Sequence, residues 1–395
     1  MNKALAITTV SLLLILLGAC NNKVVQQDNV TASEELNTNT SGKFTPPGDK
    51  LLLFIGQDSD TISDYIAAVP EDNIEGVTLY SQLKSADPSQ TLKAMFKPAF
   101  WQAGSVDFTK TLADSPDAAI AIGLAIDNCN QENHEANIAN GLYDNTITVM
   151  VKHLKSLAPR KVFLRIGYEF DGPWNCYTPT NYKLAFQRIA KEVSKLNADN
   201  IATVWQSASW PDSYGNPIYD TGLHDHLDNW YPGDEYVDWV SMSSFYRNLS
   251  QWNYTPPRTP QAGQESILAF ARKHNKPVMI AESAPQGFRI GELTNSVIQE
   301  NNPAPVSAEN IWQAWYQPYF DFIYSNTDVI RSVAYINTHW DSQAMWQCEQ
   351  GIAAGSPGCS QGNWGDSRIQ ANDEIKARWL EQVSNSDHWI QNGHY

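Results

Sequence analysis

"FLRIGYEFDGPWN" spans residues 163–175 and contains a conflict. A short apolar run carries Arg165, passes a Gly and Tyr168, and arrives at Glu169, with an Asp-Gly-Pro turn and Trp174 directly behind it. An unpaired charge inside a strand is costly. A strand end that opens into a cleft doing acid chemistry accommodates one. Short apolar runs of the same kind recur in both directions: "LLLFIGQD" (51–58), "GVTLYS" (76–81), "AAIAIGLAI" (118–126), "NIATVWQSA" (200–208), "VDWVSMSSF" (237–245), "KPVMIAESA" (276–284) and "IRSVAYINTHW" (330–340). They are continuous rather than alternating, as parallel strands buried on both faces are. Amphipathic stretches lie between them, at 180–196, 263–275 and 307–326. Strands alternating with helices in this way predict an α/β fold of the (β/α)8 barrel type. An open doubly wound sheet is the other arrangement, but no Gly-rich fingerprint follows the first strand.

In a parallel barrel the active site lies at the carboxyl ends of the strands. There the runs leave Gln57 and Asp58, Tyr80, Glu169, Trp205 and Gln206, Phe245 and Tyr246, Glu282, and finally Asn337, His339, Trp340 and Asp341. Glu169 and Glu282 end the fourth and seventh runs, on opposite sides of the mouth. Retaining glycoside hydrolysis needs such a pair, roughly 5–5.5 Å apart, one carboxyl protonated and one ionised. Either Glu alone reads equally well as a salt-bridged strand end. Both together, beside many aromatic residues, point to chemistry. Arg165, four residues before Glu169, projects to the same side by the two-residue period, where it could lower a carboxyl pKa.

The 395 residues allow one large domain, with 42% hydrophobic and 18% charged residues. The net charge of −16 disfavours nucleic acid as a partner. Fourteen Trp and 17 Tyr exceed what a core needs and suit stacking on sugar rings. Trp239, Trp312 and Trp315 are expected in the core. Trp174, Trp205, Trp210, Trp340, Trp346 and Trp364 divide between wall packing and sugar stacking, with Trp174 and Trp340 foremost. Gln57, Asp58, Gln206, Asn337 and Asp341 are candidate partners for sugar hydroxyls, since polar recognition needs paired groups. No cofactor is called for. "HDHLD" (224–228) lacks metal-ligand spacing and reads as a solvated loop. Ser209 has no Gly-x-Ser-x-Gly elbow around it.

The chain opens with Lys3 and an apolar run, 12–17, too short to span a bilayer comfortably and typical of a signal peptide. "LGAC" resembles a bacterial lipobox, which implies removal of residues 1–19 and a lipid on Cys20. With Asn21 and Asn22 following, the resemblance favours the outer membrane. Residues 20–46 are polar and aperiodic and read as a tether, leaving 47–395 as the catalytic domain. Cys129, Cys176, Cys348 and Cys359 remain, an even number in an exported chain. Three pairings are open; Cys129–Cys176 and Cys348–Cys359 are favoured. The domain is expected to be a monomer.

"LRIGYEFDGPW" resembles the acid/base segment of glycoside hydrolase family 26, in which an Arg precedes the catalytic Glu by four. "WYPGDEYVDWVSMSSFY", "MIAESAPQ", "AYINTHWDSQ" and "WGDSRIQAN" resemble further segments of that family. Within it, "IGQDSDTI", "YEFDGPWN", "VWQSAS", "ESAPQ" and "WGDSR" are most similar to endo-1,3-β-xylanases of marine bacteria. The resemblance implies Glu169 as acid/base, Glu282 as nucleophile, and Tyr246 against the nucleophile, with Tyr168 beside the sugar. It implies retaining, endo-acting cleavage of β-1,3-xylan. Family mannanases usually have His where Tyr168 stands, which puts mannanase activity in doubt. A β-1,4-mannanase, a mixed-linkage β-glucanase and a non-catalytic glycan-binding lipoprotein stay open as alternatives. Such xylanases often carry carbohydrate-binding modules. None is seen after residue 395, so the lipid anchor is expected to localise the enzyme.

Overall fold

The computed structural model describes residues 40–69, 74–127, 129, 132–245, 254–296, 304–347 and 364–391. Eight strands form a closed barrel in which each pairs in parallel with its chain neighbours: β1 Leu52–Gly56, β2 Gly76–Gln82, β3 Ala119–Ala125, β4 Val162–Ile166, β5 Ile201–Ser207, β6 Trp239–Phe245, β7 Val278–Ala284 and β8 Ile330–Ile336. β8 returns to β1, with Leu52 opposite Ser332. This is the predicted (β/α)8 architecture. Its helices include α1 Ser59–Ala68, α2 Phe108–Asp114, α3 His134–Ala139, α4 Asp144–Lys155, α5 Pro179–Lys195, α6 His226–Trp230 and α7 Pro260–Lys273. The aromatic stretch after β7 is α8 Ala308–Ile311, a π-turn at Trp312–Tyr316 and α9 Gln317–Tyr324. Helix α10, Asp373–Val383, follows β8.

Each strand is buried on both faces, which is why its sequence runs apolar without alternation. Outward side chains pack under the helices. Inward ones fill the barrel: Phe163 meets Phe54 and Trp239 edge-on, with ring centroids 5.3 and 5.4 Å away. Small residues opposite, Ala119, Ala121, Ala202 and Ala281, leave room for these rings. Trp239, Trp312 and Trp315 are all buried, as expected.

The floor corrects the tether boundary. Phe44 packs against Phe163 at 5.8 Å, and the indole N–H of Trp239 donates to the Lys43 carbonyl at 2.7 Å. The β8 bulge around Arg331 sends its guanidinium to the carbonyls of Pro46 and Lys50, at 2.6 and 3.2 Å. Residues 40–46 therefore belong to the barrel. Composition misled because one Phe and backbone carbonyls do the packing.

Above the apolar layer the inward positions become polar: Arg165 on β4, Gln206 on β5, Ser241 and Ser243 on β6, Glu282 on β7. At the mouth, Phe288–Arg289, Thr294–Asn295 and Gly365–Asp366 form a small sheet that joins the β7 and β8 loops. Gly365 is required there: its φ is +102°, and a Cβ would sit 1.9 Å from the Phe288 carbonyl oxygen.

Candidate active site

Glu169 does not sit on a strand. β4 ends at Ile166, and the chain turns through Gly167 and Glu169, both left-handed at φ +54° and +53°. A non-glycine residue in that region is strained, and such residues collect at functional sites. The turn is held from four sides. Asn175 donates to the carbonyls of Tyr168 and Glu169, at 3.1 and 2.9 Å. The Phe170 amide donates to Gln206. The Phe170 ring lies flat on Trp205, centroids 4.3 Å apart. Asp171, buried, accepts from the Ser207 hydroxyl, the Ala208 amide and His226, at 2.6, 2.6 and 3.0 Å. The two-residue period thus fails beyond Ile166, and the turn rather than the pleat brings Glu169 to the mouth.

Glu282 reaches the mouth by a different device. Between Ile280 and Ser283, β7 has one residue more than each neighbouring strand. Met279 and Ala281 face the interior, and Ser283 faces outward onto Tyr319. The bulge turns Glu282 inward as well, directly after Ala281. Bulges re-aim side chains in this way beside active sites.

Once inside, Glu282 accepts through Oε1 from the Tyr80 hydroxyl at 2.8 Å and from the Arg165 guanidinium. Arg165 is wholly buried, with its guanidinium carbon 5.3 Å from the ring centroids of both Tyr80 and Tyr168. The two rings meet edge-on, centroids 5.4 Å apart, and Gly123 on β3 makes room for them, since a Cβ there would lie 2.5 Å from the Tyr80 ring. Arg165 Nε donates to Gln206 Oε1 at 2.7 Å, Gln206 Nε2 donates to Ser243 Oγ at 3.0 Å, and Ser243 donates to Glu169 Oε1 at 2.7 Å. Glu169 Oε2 accepts from the indole N–H of Trp174 at 2.9 Å. A continuous hydrogen-bond path thus joins the two carboxylates.

The Glu169 carboxyl is pushed up to about 8 by its enclosure and then by the negative charge of Glu282. Hydrogen bonds from Ser243 and Trp174 and the charge of Arg165 oppose the rise. Burial and the Glu282 charge also hold the Tyr80 phenol well above the usual tyrosine range, so it donates as a neutral group. One carboxyl that keeps its proton beside one compensated by an arginine is the pairing that acid-assisted displacement uses.

Several candidate binding residues lie elsewhere than expected. Arg165 and Gln206 are fully buried, Arg165 bound to Glu282 and to Gln206, and Gln206 to Ser243, rather than facing the cleft. Asp58 is the N-cap of α1, accepting from the amides of Asp60 and Thr61. Asp341 is bound by Arg289 at 2.6 Å and by the Gly365 amide at 2.8 Å. Trp340 is 1% exposed, its indole N–H on Ser367 at 3.0 Å and its ring among Trp346 and Trp364. It is no open platform. Trp205 is buried too. Spacing does not reveal these partners: the barrel interior for Arg165 and Gln206, a helix N-terminus for Asp58, and packed rings for Trp205 and Trp340. Trp174, 40% exposed, remains available, whereas Tyr168 is half-buried against Tyr80 and Gln57 is buried. Tyr246 lies outside the described residues, as do Cys20 and the Cys348–Cys359 pair. The Cys129–Cys176 disulfide is present and ties the Trp174 turn to the β3 loop.

Sequence reasoning missed Ser243, and it noted Tyr80 only as a strand end. The signal for Ser243 was an inward polar residue on the strand preceding Glu282. "HDHLD" also differs from expectation: His226 is buried against Asp171, not solvated. Among the described residues no cluster of His, Cys, Asp or Glu could hold a metal ion, and no helix is long and apolar enough to cross a membrane.

A parallel (β/α)8 barrel with paired glutamates at its mouth defines a glycosidase-type architecture. No protein-family model matches the chain. Proteins named β-1,3-xylanase from a Vibrio species and an Alcaligenes species are 33% and 32% identical to it over 347 and 348 residues, 87% of this chain in each case. The chain spans just under two thirds of their lengths, 66% and 65%. The catalytic domain of a family 26 endo-β-1,4-mannanase from a Bacillus species superposes with TM-score 0.51 at 14% identity, covering 87% of each chain. A family 26 β-mannanase from Bacteroides ovatus gives 0.50 at 10% identity, covering 88% of this chain and 91% of its own. These two likenesses concern the fold. The xylanase relatives carry the likeness in sequence over most of this chain.

Proposed function

We propose that this chain is a retaining, endo-acting glycoside hydrolase that cuts β-1,3-xylosidic bonds in β-1,3-xylan. The observation that carries the mechanism is the contrast between the two glutamates. Glu169 is enclosed and raised to about 8, while Glu282 is bound by Arg165 and Tyr80. In the first step Glu169 gives its proton to the leaving glycosidic oxygen as Glu282 attacks the anomeric carbon. Arg165 and Tyr80 both engage Oε1 of Glu282, which leaves Oε2 to form the glycosyl ester. Esterification removes the Glu282 charge and with it one cause of the raised Glu169 pKa, so Glu169 then accepts a proton from water in the second step. Trp174 offers an apolar face beside Glu169, suited to the sugar on the leaving side.

The xylan assignment draws on the names of the two relatives and on Tyr168 in place of His. Export, lipidation at Cys20 and attachment to the outer membrane are part of the same reading, as is a monomeric domain. No cofactor enters the mechanism.

The test is a product assay. The purified chain, Glu169→Ala and Glu282→Ala are each incubated with β-1,3-xylan, β-1,4-xylan, β-mannan and mixed-linkage glucan. Short xylo-oligosaccharides from β-1,3-xylan alone, lost in both variants, support the reading. Products from mannan or glucan keep the mechanism and move the substrate. Binding without products from any polymer would make the chain a glycan-capturing protein.

A further inference from the structure

We propose that Ser243 is a positioning residue for Glu169 and determines which of its carboxyl oxygens carries the acid proton. This rests on the reading of Glu169 as the acid. The inference comes from the direction of the hydrogen bonds, not from their number. Arginine can only donate. Arg165 Nε therefore requires the oxygen of Gln206 to face it, at 2.7 Å. That fixes the amide, so Nε2 of Gln206 donates to Ser243 Oγ at 3.0 Å. Ser243 is then left with its own hydrogen to give, and Glu169 Oε1 stands 2.7 Å away. Each link is oriented by the one before it, and the first cannot be reversed. Oε1 is consequently an acceptor.

Both oxygens accept one neutral donor, so access rather than acceptance assigns the acid proton to Oε2. That oxygen also receives the Trp174 indole N–H at 2.9 Å, and Trp174 is 40% exposed. Oε2 is thus the oxygen on the open side, where a glycosidic oxygen can arrive. Oε1 points toward β6, where a proton would be useless for catalysis. The path starts at the other catalytic group, because Arg165 also binds Glu282. The charged and titratable groups around Glu169 are Glu282 from β7, Arg165 from β4 and Tyr168 from its own turn, with Tyr80 from β2 behind them. Ser243 and Trp174 are its neutral donors.

The test compares the full chain with Ser243→Ala, Ser243→Thr and Gln206→Met. Carbon-13 labelling of glutamate side chains gives the Glu169 titration by NMR, assigned by its absence in Glu169→Gln; no substrate is needed. In parallel, kcat and KM are measured against pH on β-1,3-xylan. Removing a hydrogen bond to the charged form should raise the Glu169 midpoint in Ser243→Ala by about one pH unit. The basic limb of activity should move up with it, and plateau kcat should fall roughly 10- to 100-fold with KM little changed. Ser243→Thr keeps the hydroxyl and should restore both. Gln206→Met should act in the same direction, non-additively with Ser243→Ala, and it carries the test if Ser243→Ala does not fold. An unmoved Glu169 midpoint in the folded variants, or lost activity with an unchanged pH profile, overturns the proposal. Absence of turnover in the parent chain would instead count against the enzymatic reading, while the NMR titration still decides the role of Ser243.

Discussion

Ala281 and Glu282 are consecutive residues of one strand, and both face the barrel interior. Regular pleating forbids this, because successive side chains alternate. The extra residue in β7 permits it. Glu282 lies in reach of Tyr80 and Arg165, and not under the helices where Ile280 and Ser283 point. Deleting Ala281 removes the extra residue yet keeps Ile280 outward and Glu282 inward, because Met242 and Ser243 already pair with these two in turn. A folded deletion variant should therefore keep measurable turnover, unlike Glu282→Ala, whose loss should reach at least about a thousandfold. A loss as deep in the deletion variant would show that the bulge itself aims the carboxylate.

The negative charge of Glu282 is one cause of the raised Glu169 pKa. Glu282→Gln removes that charge and keeps the shape. The Glu169 midpoint should fall from about 8 toward the ordinary carboxyl range. The carbon-13 titration of Glu169 reads this directly, and a midpoint that stays put would assign the whole rise to enclosure.

The same shift costs stability at high pH. A carboxyl whose folded pKa lies above its unfolded value binds more protons folded than unfolded. Its contribution is therefore fully present below the unfolded value, near 4.3. It is lost as pH rises through about 8. Glu169→Gln should raise Tm more at pH 9 than at pH 4, with turnover lost at both. Thermal melts at the two pH values check the sign; an equal change at both would break the linkage.

Trp174 has two separable parts. Trp174→Phe keeps a ring and removes the N–H that opposes protonation of Glu169. The basic limb of kcat/KM should move up, with a modest rise in KM. Trp174→Ala should add a larger KM penalty, about 10-fold or more, in line with the 1–3 kcal/mol that burying an aromatic face contributes. Equal KM values for the two variants would deny the ring any contact with sugar.

The Cys129–Cys176 bridge closes a loop of sequence separation 47 around the Trp174 turn. Cys176→Ser with Cys129→Ser should lower stability by about 2–4 kcal/mol in denaturant melts. It should raise KM more than it lowers kcat, because the bridge holds Trp174 rather than either glutamate. A change confined to kcat would place the bridge's influence on the catalytic pair instead.

The amino-acid sequence by itself determined the barrel. Strands buried on both faces must be apolar throughout, so "KVFLRIGYEF" and its seven counterparts declare themselves without any partner in view. It also put Glu169 and Glu282 on the carboxyl side of the fourth and seventh strands, and favoured Cys129 with Cys176. What it left open were side-chain directions. Arg165 was legible as a neighbour of Glu169 along the chain, yet its guanidinium binds Glu282. Trp340 looked like a platform and is walled in by Trp346 and Trp364, from its own segment between β8 and α10. Ser243 gave only the faint signal of an inward polar residue in a strand, whose use is plain once Gln206 and Glu169 stand on either side of it. Apolar periodicity is a property of each segment and survives in one dimension. The aim of a carboxylate depends on a left-handed turn, a one-residue bulge and the donors facing it, and those exist only once the barrel has closed.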